Sequence, residues 1–540
     1  MQSLPVPIPN SYWVHQGSFL AGEYPGDELQ SDAEARLAGF LDAGIDYFID
    51  LTEVRDPLEP YEETLLQLAK RSGRTVTYVR RAVRDLHHPS VPEMRDILDE
   101  IDRAIADGRR VYVHCWGGVG RTGTVVGCHL TRRGLEGDAA LRRVAELFGT
   151  MTEEKLARHP TSPETTAQRR FVREWKAGDH RRSLTHIRGC LLGGAVGDAL
   201  GAPVEFLSLA SIRRKYGAAG IVDFDEAYGR VGAITDDTQM TMWTAEGVLR
   251  GITRGNAKGI GGPTSTLGFA YRRWLYTQDG RLPDHIDAFE RKLILGGKDV
   301  DRGWLRSVKA LRHQRAPGNT CLSALRAREL GSRENPLNGS KGCGGVMRVA
   351  PVALFRDDPD SIFDLACHAA ALTHGHPTGW LAAGAFALIL YHVGDGSTLE
   401  AAVRLGVDRV SRERDHAETT NALERALRLW AAGGPPTAEL VESLGAGWVA
   451  EEALAIAVYC ALAANDDFSG GVCLAVNHSG DSDSTGSMAG QILGLKLGES
   501  AIPEAWTSRV ELARELRALA ADIVTVHRDG HEWWKRYPGY

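Results

Sequence analysis

Long apolar runs are missing from this chain. Its 540 residues contain no stretch of about 18 consecutive apolar residues, so no membrane-spanning helix is expected. The opening residues, MQSLPVPIPNSYW, have neither the basic stretch nor the apolar core of a signal peptide, and the protein is expected in the cytoplasm. A surplus of positive charge is missing too. The net charge of −7 and pI of about 6.2 argue against general nucleic-acid binding, which needs a basic face. They leave room for a local basic pocket that takes a phosphorylated ligand. Paired cysteines are absent: eight are scattered at 115, 128, 190, 321, 343, 367, 460 and 473, with no CxxC to suggest zinc. For all but Cys115 the expected role is that of a small buried apolar residue. There is no fixed-period repeat, which excludes a solenoid.

What is present is ordinary globular material, 43% hydrophobic and 25% charged, in a length that predicts more than one domain. A polar, basic seam, KAGDHRRSLTH at 176–186, separates two textures, and we place domains at 1–178 and 187–540. Before the seam, short apolar or β-branched runs at 47–51, 75–79 and 110–114 alternate with helical spacing at 94–105 and 122–130. That alternation predicts a three-layer α/β domain with a mainly parallel sheet. After the seam, Ala/Leu/Gly-rich stretches at 187–200, 240–250, 361–372, 380–393, 423–432, 450–464 and 487–497 predict a compact all-α domain packed through small residues.

One cysteine stands apart. Cys115 ends a predicted strand in the segment Val113-His-Cys-Trp-Gly-Gly-Val-Gly-Arg-Thr-Gly123, and Thr122 opens a predicted helix. A glycine-rich loop before a helix N-terminus can turn backbone N–H groups inward and adds positive potential. Residues Trp116, Gly117, Gly118, Val119, Gly120 and Arg121 are therefore candidates to cradle a phosphate. The same environment lowers the pKa of a thiol within it. Arg121 can hold two phosphate oxygens at once, Thr122 can hydrogen-bond the thiolate, and the thiolate can attack phosphorus to form a covalent intermediate. A general acid must protonate the departing oxygen. Asp85, in the loop Arg84-Asp-Leu-His-His-Pro89, is the candidate, with His87 and His88 as weaker competitors. The arrangement closely resembles the HCxxGxxR(S/T) signature of protein tyrosine and dual-specificity phosphatases over residues 1–175, with 10–26 and 49–52 similar to compact atypical members. The resemblance implies the phosphatase α/β fold, with no cofactor.

Two acidic clusters mark the second domain, Ile234-Thr-Asp-Asp-Thr-Gln-Met-Thr241 and Ser479-Gly-Asp-Ser-Asp-Ser-Thr-Gly486, each just before a predicted helix. Alone, either reads as a helix cap. Together they offer hard oxygen ligands, which select Mg²⁺, Mn²⁺ or Ca²⁺. With 187–205 (IRGCLLGGAVGDALGAPVE), 341–351 (KGCGGVMRVAP), 372–377 (LTHGHP) and a Trp-containing terminus at 533–540, they resemble, in this order, the ADP-ribosylglycohydrolase family, whose members act on ADP-ribosylated arginine, dinitrogenase reductase and serine. The resemblance implies an all-α fold with two Mg²⁺ or Mn²⁺ ions held by Thr235, Asp236, Asp237, Asp481, Asp483 and Ser484. Glu205 matches a family carboxylate near metals and substrate, and Asp198 a structural support. Gly342, Gly344, Gly345, Arg348 and His374 match positions lining the ADP-ribose cleft, although a buried hydrogen-bonded histidine is an equal reading of His374. By the same resemblance the ions hold the ribose hydroxyls and activate a water, with Asp237, Asp481 and Glu205 as alternative proton carriers. Three departures stand out: Asp-Ser-Asp-Ser where the family has DTDT, Cys343 where it has Asn, and His478-Ser479-Gly480 in place of a more glycine-rich approach.

The expected partners are therefore a phosphomonoester and an ADP-ribosyl conjugate, small or protein-borne, with no membrane. Fusion suggests sequential action on one phosphorylated ADP-ribose compound. The alternative is an active phosphatase carrying an ADP-ribose reader of little turnover.

Overall fold

The computed structural model describes residues 4–133, 135–175, 182–259, 263–295, 303–355, 358–527 and 530–539. The chain divides into two compact units, Met1–Gly178 and Asp179–Tyr540. Much of the expected seam, residues 176–181, lies outside the described residues.

In the first unit, strands β1 (Ser11–His15), β2 (Phe19–Gly22), β3 (Tyr47–Asp50), β4 (Thr77–Arg80) and β5 (Val111–His114) form one five-stranded sheet, in the order β1-β2-β5-β3-β4. Only the β1–β2 hairpin is antiparallel; β5 pairs in parallel with both β2 and β3. Side chains alternate between the faces. Val111 and Val113 join one apolar cluster with Ile97, Leu98, Val125 and Val126. Tyr112, between them, joins another with Phe40, Phe48 and Leu65. Helices α1 (Gln30–Asp42) and α2 (Glu62–Arg71) cover that second face, while α3 (Val91–Ala106) and α4 (Gly120–Arg132) cover the first. The α/β architecture is the expected one. The β1–β2 hairpin and helices α1 and α2 were not anticipated, and β4 begins two residues later than its β-branched run.

Among its described residues, the second unit is helical apart from loops and one small antiparallel ribbon, Glu226–Ala227 with Arg230–Val231. At its centre the helices Leu184–Gly201 and Ser482–Leu497 run antiparallel with their backbones in contact. Gly189, Gly193 and Gly197 on the first face Gly494, Gly490 and Gly486 on the second. A Cβ added to Gly193 would lie 2.3 Å from the Gly490 carbonyl oxygen, and one on Gly197 would lie 1.9 Å from that of Gly486. Residues four apart share a helix face, so the two glycine series form one continuous seam. Gly201 extends it, with room for no Cβ against Asp483. Each helical glycine costs about 1 kcal/mol in propensity relative to alanine; close packing offsets that cost and brings the start of one helix beside the end of the other. The helices Pro377–Gly394 and Ala450–Ala463 are buried on nearly every side, as internal helices are. Among the described residues, no helix is long and apolar enough to cross a membrane.

Candidate active sites

The first site lies at the carboxyl end of β5, where the chain turns into α4. Cys115 is buried at the floor of a pocket of about 510 Å³, which is also lined by Trp116, Gly117, Val119, Gly120, Arg121 and Asp85. The turn depends on Gly118, which has φ +71° and no space for a Cβ: one would sit 2.5 Å from the Gly22 carbonyl carbon. The Trp116 carbonyl accepts from Tyr24 N at 3.0 Å, pinning the loop to the β2 side. Behind the cysteine, fully buried His114 contacts the Tyr61 hydroxyl at 2.6 Å. Burial, opposed by the Asp50 charge, holds its imidazole below the usual range and hence neutral.

Arg121 is buried, and its guanidinium is held from several sides. Nη1 donates to Asp56 Oδ2 at 2.8 Å and to Val83 O at 3.1 Å, and Nη2 pairs with Asp85 Oδ1 at 3.1 Å. The geometry thus brings Cys115, Arg121 and Asp85 to one pocket. The competing histidines point elsewhere: His87 Nδ1 lies 2.8 Å from its neighbour's carbonyl, Asp85 O, and His88 stacks on Phe171. The Thr122 hydroxyl donates to Gly22 O at 3.4 Å, so here it braces β2, whereas the sequence suggested a bond to the thiolate. Asp56, Lys155, His159 and Glu164 were missed. Asp56 reaches Arg121 from a loop, and the other three line the pocket; no spacing pattern ties them to Cys115.

In the second unit both acidic clusters lie at helix N-termini that meet. Thr235 caps the Asp236–Lys258 helix and Asp481 caps Ser482–Leu497. Carboxylate oxygens of Glu205, Asp481 and Asp483 lie within 4.8 Å of one another. Ser484 Oγ donates to Asp237 Oδ2 at 3.3 Å, linking the two clusters, and the Asp236 carboxylate accepts from Gly318 N at 3.3 Å. Asp198 stands apart from this group. It accepts from Thr235 N at 2.9 Å and from the Thr238 hydroxyl at 2.5 Å, a support for the turn that presents Asp236 and Asp237.

The cluster's chemistry fits a divalent cation. Glu205, Asp236, Asp237, Asp481 and Asp483 are all buried, and Glu205 Oε2 and Asp237 Oδ1 have no hydrogen-bond partner. Burial first, then the charges of Asp481, Asp236 and Asp198, push the Glu205 carboxyl up to about 8. Burial first, then the charges of neighbouring carboxylates, drives Asp236, Asp237 and Asp483 well above the carboxylate range, against the lowering effect of the Gly318 N–H on Asp236. So many buried carboxylates cannot all ionise without positive charge among them, and oxygen donors of this kind suit Mg²⁺ or Mn²⁺.

The glycine loop 342–345 packs against His374: a Cβ on Gly344 would lie 3.2 Å from its ring. His374 is buried with Nδ1 2.9 Å from Thr373 Oγ1. Burial, with a smaller push from the Arg348 charge, takes it down to about 3, so it is a neutral, hydrogen-bonded histidine beneath the loop. Arg348 corrects the sequence reading. It is fully buried, donating to Ala369 O at 2.9 Å and Thr373 Oγ1 at 2.7 Å, with its guanidinium over the Tyr271 ring. All these partners are in the core, so Arg348 anchors the loop from below and does not line a cleft. Cys343, by contrast, faces the acidic cluster. Its thiol donates to Asp481 Oδ2 at 2.6 Å.

A phosphatase-type α/β unit with a cysteine loop, followed by a helical unit with a carboxylate cluster, defines a two-domain hydrolase. The chain belongs to the ADP-ribosylglycohydrolase family, whose model matches residues 179–532; residues 9–172 match the model described as Swiss Army Knife protein, DSP-PTPase phosphatase domain. The ADP-ribosyl-dinitrogen reductase glycohydrolase of Rhodospirillum rubrum is 27% identical over 63% of this chain and 94% of its own length. ADP-ribosylhydrolase ARH3 of Bos taurus is 25% identical over 63% of this chain and 93% of its own. For the first unit, a solved structure of Tk-PTP in its active form is 24% identical, covering 31% of this chain and 97% of that one with a TM-score of 0.23.

Proposed function

We propose that the protein is a bifunctional hydrolase: a phosphomonoesterase working through a phosphocysteine, and a metal-dependent hydrolase of the glycosidic bond in an ADP-ribosyl conjugate. In the first unit the Cys115 thiolate attacks phosphorus, and the S–P bond forms as the bond to the alcohol oxygen breaks. Arg121 and the N–H groups of residues 116–121 hold the phosphoryl oxygens. Asp85 gives its proton to the departing oxygen, and water then cleaves the phosphocysteine. The observation that carries this reading is the convergence of Cys115, Arg121 and Asp85 on one pocket.

In the second unit, Asp236, Asp237, Asp481 and Asp483, with the hydroxyls of Thr235 and Ser484, would hold two Mg²⁺ or Mn²⁺ ions beside Glu205. Bound there, the ions supply Lewis acidity to ribose hydroxyls and to a water. The loop 342–345 orients the ADP-ribose over the cluster. Surrounding carboxylates offset positive charge at the anomeric carbon, and the unpartnered Glu205 Oε2 can take up a proton. The carrying observation is the set of buried carboxylates with orphaned oxygens. The two units would act in sequence on one phosphorylated ADP-ribose compound. Eight free cysteines suit a reducing, cytoplasmic compartment.

The test is hydrolysis of ADP-ribosyl arginine, ADP-ribosyl serine and ADP-ribose 1″-phosphate with Mg²⁺ or Mn²⁺. ADP-ribose release that survives C115S and disappears in D236A/D237A supports the glycohydrolase; phosphate release with the opposite sensitivity supports the phosphatase. Tight metal-dependent binding of ADP-ribose without release from any conjugate would replace turnover by a reader function.

A further inference from the structure

Two of the sequence's departures from its family meet in space. Ser484 Oγ lies 3.8 Å from Cys343 Sγ and 3.7 Å from Met347 Sδ. A threonine at 484 would add a methyl group to the same Cβ, so the smaller hydroxyl residue stands where sulfur comes in. Cys343 Sγ is at the same time 2.6 Å from Asp481 Oδ2, an oxygen donor of the residue that clusters with Glu205 and Asp483. Independently of the cysteine, that cluster offers a cation two buried oxygens without hydrogen-bond partners, Glu205 Oε2 and Asp237 Oδ1. The loop peptide is fixed as well. Cys343 N donates to Trp448 O at 3.2 Å, and Val346 N and Met347 N both donate back to Cys343 O, so the side chain is presented toward the carboxylates by a braced backbone.

We propose that Cys343 is a sulfur ligand of the metal site and shifts its preference from Mg²⁺ toward borderline divalent ions such as Zn²⁺ and Co²⁺. The inference rests on the metal reading of the cluster and adds a donor to it. Carboxylate and hydroxyl oxygens alone favour hard ions; a thiolate among them favours softer ones. On binding, the sulfur exchanges its proton for the cation, and the proton leaves to the buffer. The loop that resemblance assigns to substrate would then also serve the metal.

The experiment uses the full chain stripped with a chelator and titrated with Co²⁺, Zn²⁺, Mg²⁺ and Mn²⁺ in competition with a chromogenic chelator. Wild type should take up Co²⁺ with a sulfur-to-cobalt charge-transfer band in the near ultraviolet. C343N and C343S should lose the band and lose affinity for Zn²⁺, with the Zn²⁺-to-Mg²⁺ preference shifting toward Mg²⁺. S484T should bind Zn²⁺ less tightly than wild type. Bound Co²⁺ without the band, or an unchanged Zn²⁺-to-Mg²⁺ preference in C343N, would overturn the proposal while leaving the metal site intact. No uptake of any divalent ion by wild type, with D237A indistinguishable from it, would instead sink the underlying metal reading and this proposal with it. Should C343N fail to fold, alkylation of wild-type Cys343 read by mass spectrometry decides the point: protection by Zn²⁺ supports ligation, and unaltered labelling refutes it.

Discussion

Arg121 Nη2 stands 3.1 Å from Asp85 Oδ1, joining a guanidinium 1% exposed to a carboxylate 52% exposed. The pair ties the residue that would grip phosphate to the one that would protonate the leaving group. Asp56 holds the other guanidinium nitrogen, so an arriving phosphate competes with Asp85 and not with the anchor.

Asp85→Asn should therefore act on leaving groups. For alkyl phosphates kcat should fall by roughly 10²–10⁴, and for aryl phosphates with acidic phenols much less. Equal losses on both substrates would assign Asp85 to binding. Cys115→Ser should abolish turnover of both.

Gly118→Ala should damage the first unit alone. The position combines φ +71° with a backbone 2.5 Å from the new methyl, and a residue forced into such a conformation costs about 1–3 kcal/mol. Phosphatase activity should be lost and the first unit's melting point lowered, with ADP-ribose release preserved; calorimetry and both assays decide it.

Stability of the metal-free second unit should fall as pH rises. Glu205 titrates near 8 when folded and near 4.5 otherwise, so between those values the native state binds more protons than the unfolded one. Raising pH across this window then favours unfolding; below about 4.5 the contribution is fully present. Saturating divalent metal should flatten the dependence. Melting curves at several pH values, with and without metal, measure it, and a chelated protein whose melting point rises from pH 5 to 8 would contradict it.

Gly193→Ala and Gly490→Ala should separate the central helices. The added methyl would meet the facing carbonyl oxygen at 2.3 Å or 2.0 Å, and overpacking of this kind costs about 1–3 kcal/mol. Both variants should melt lower and bind metal more weakly, while the phosphatase stays active. An unchanged metal affinity would show that the seam does not set the ligand spacing.

The parts of this protein that the sequence made legible were those written in contiguous residues. The Cys115 loop puts thiol, glycines and arginine within seven positions, and Asp236–Asp237 and Asp481–Asp483 are each a single helix start. Fold class followed from alternating short runs in one half and glycine- and alanine-rich helical stretches in the other. What failed to show depends on distant contacts. Asp56 meets Arg121 across 65 residues. Arg348 carries a charge that a sequence reading assigns to a ligand, yet the Ala369 carbonyl, the Thr373 hydroxyl and the Tyr271 ring hold it inside the core. The spacing of the glycines was visible in each helix, but not that the two series face each other.

That facing has a consequence during synthesis. The helix Leu184–Gly201 leaves the ribosome roughly 280 residues before Ser482–Leu497, a delay of tens of seconds at about 5–20 residues per second. Through that interval its glycine face has no partner, and Glu205 waits without Asp481 or Asp483. The first unit, Met1–Gly178, is made in full before either helix. The carboxylate cluster closes only when the late helix arrives, so whatever the cluster holds is bound after the Ser482–Leu497 helix has been made.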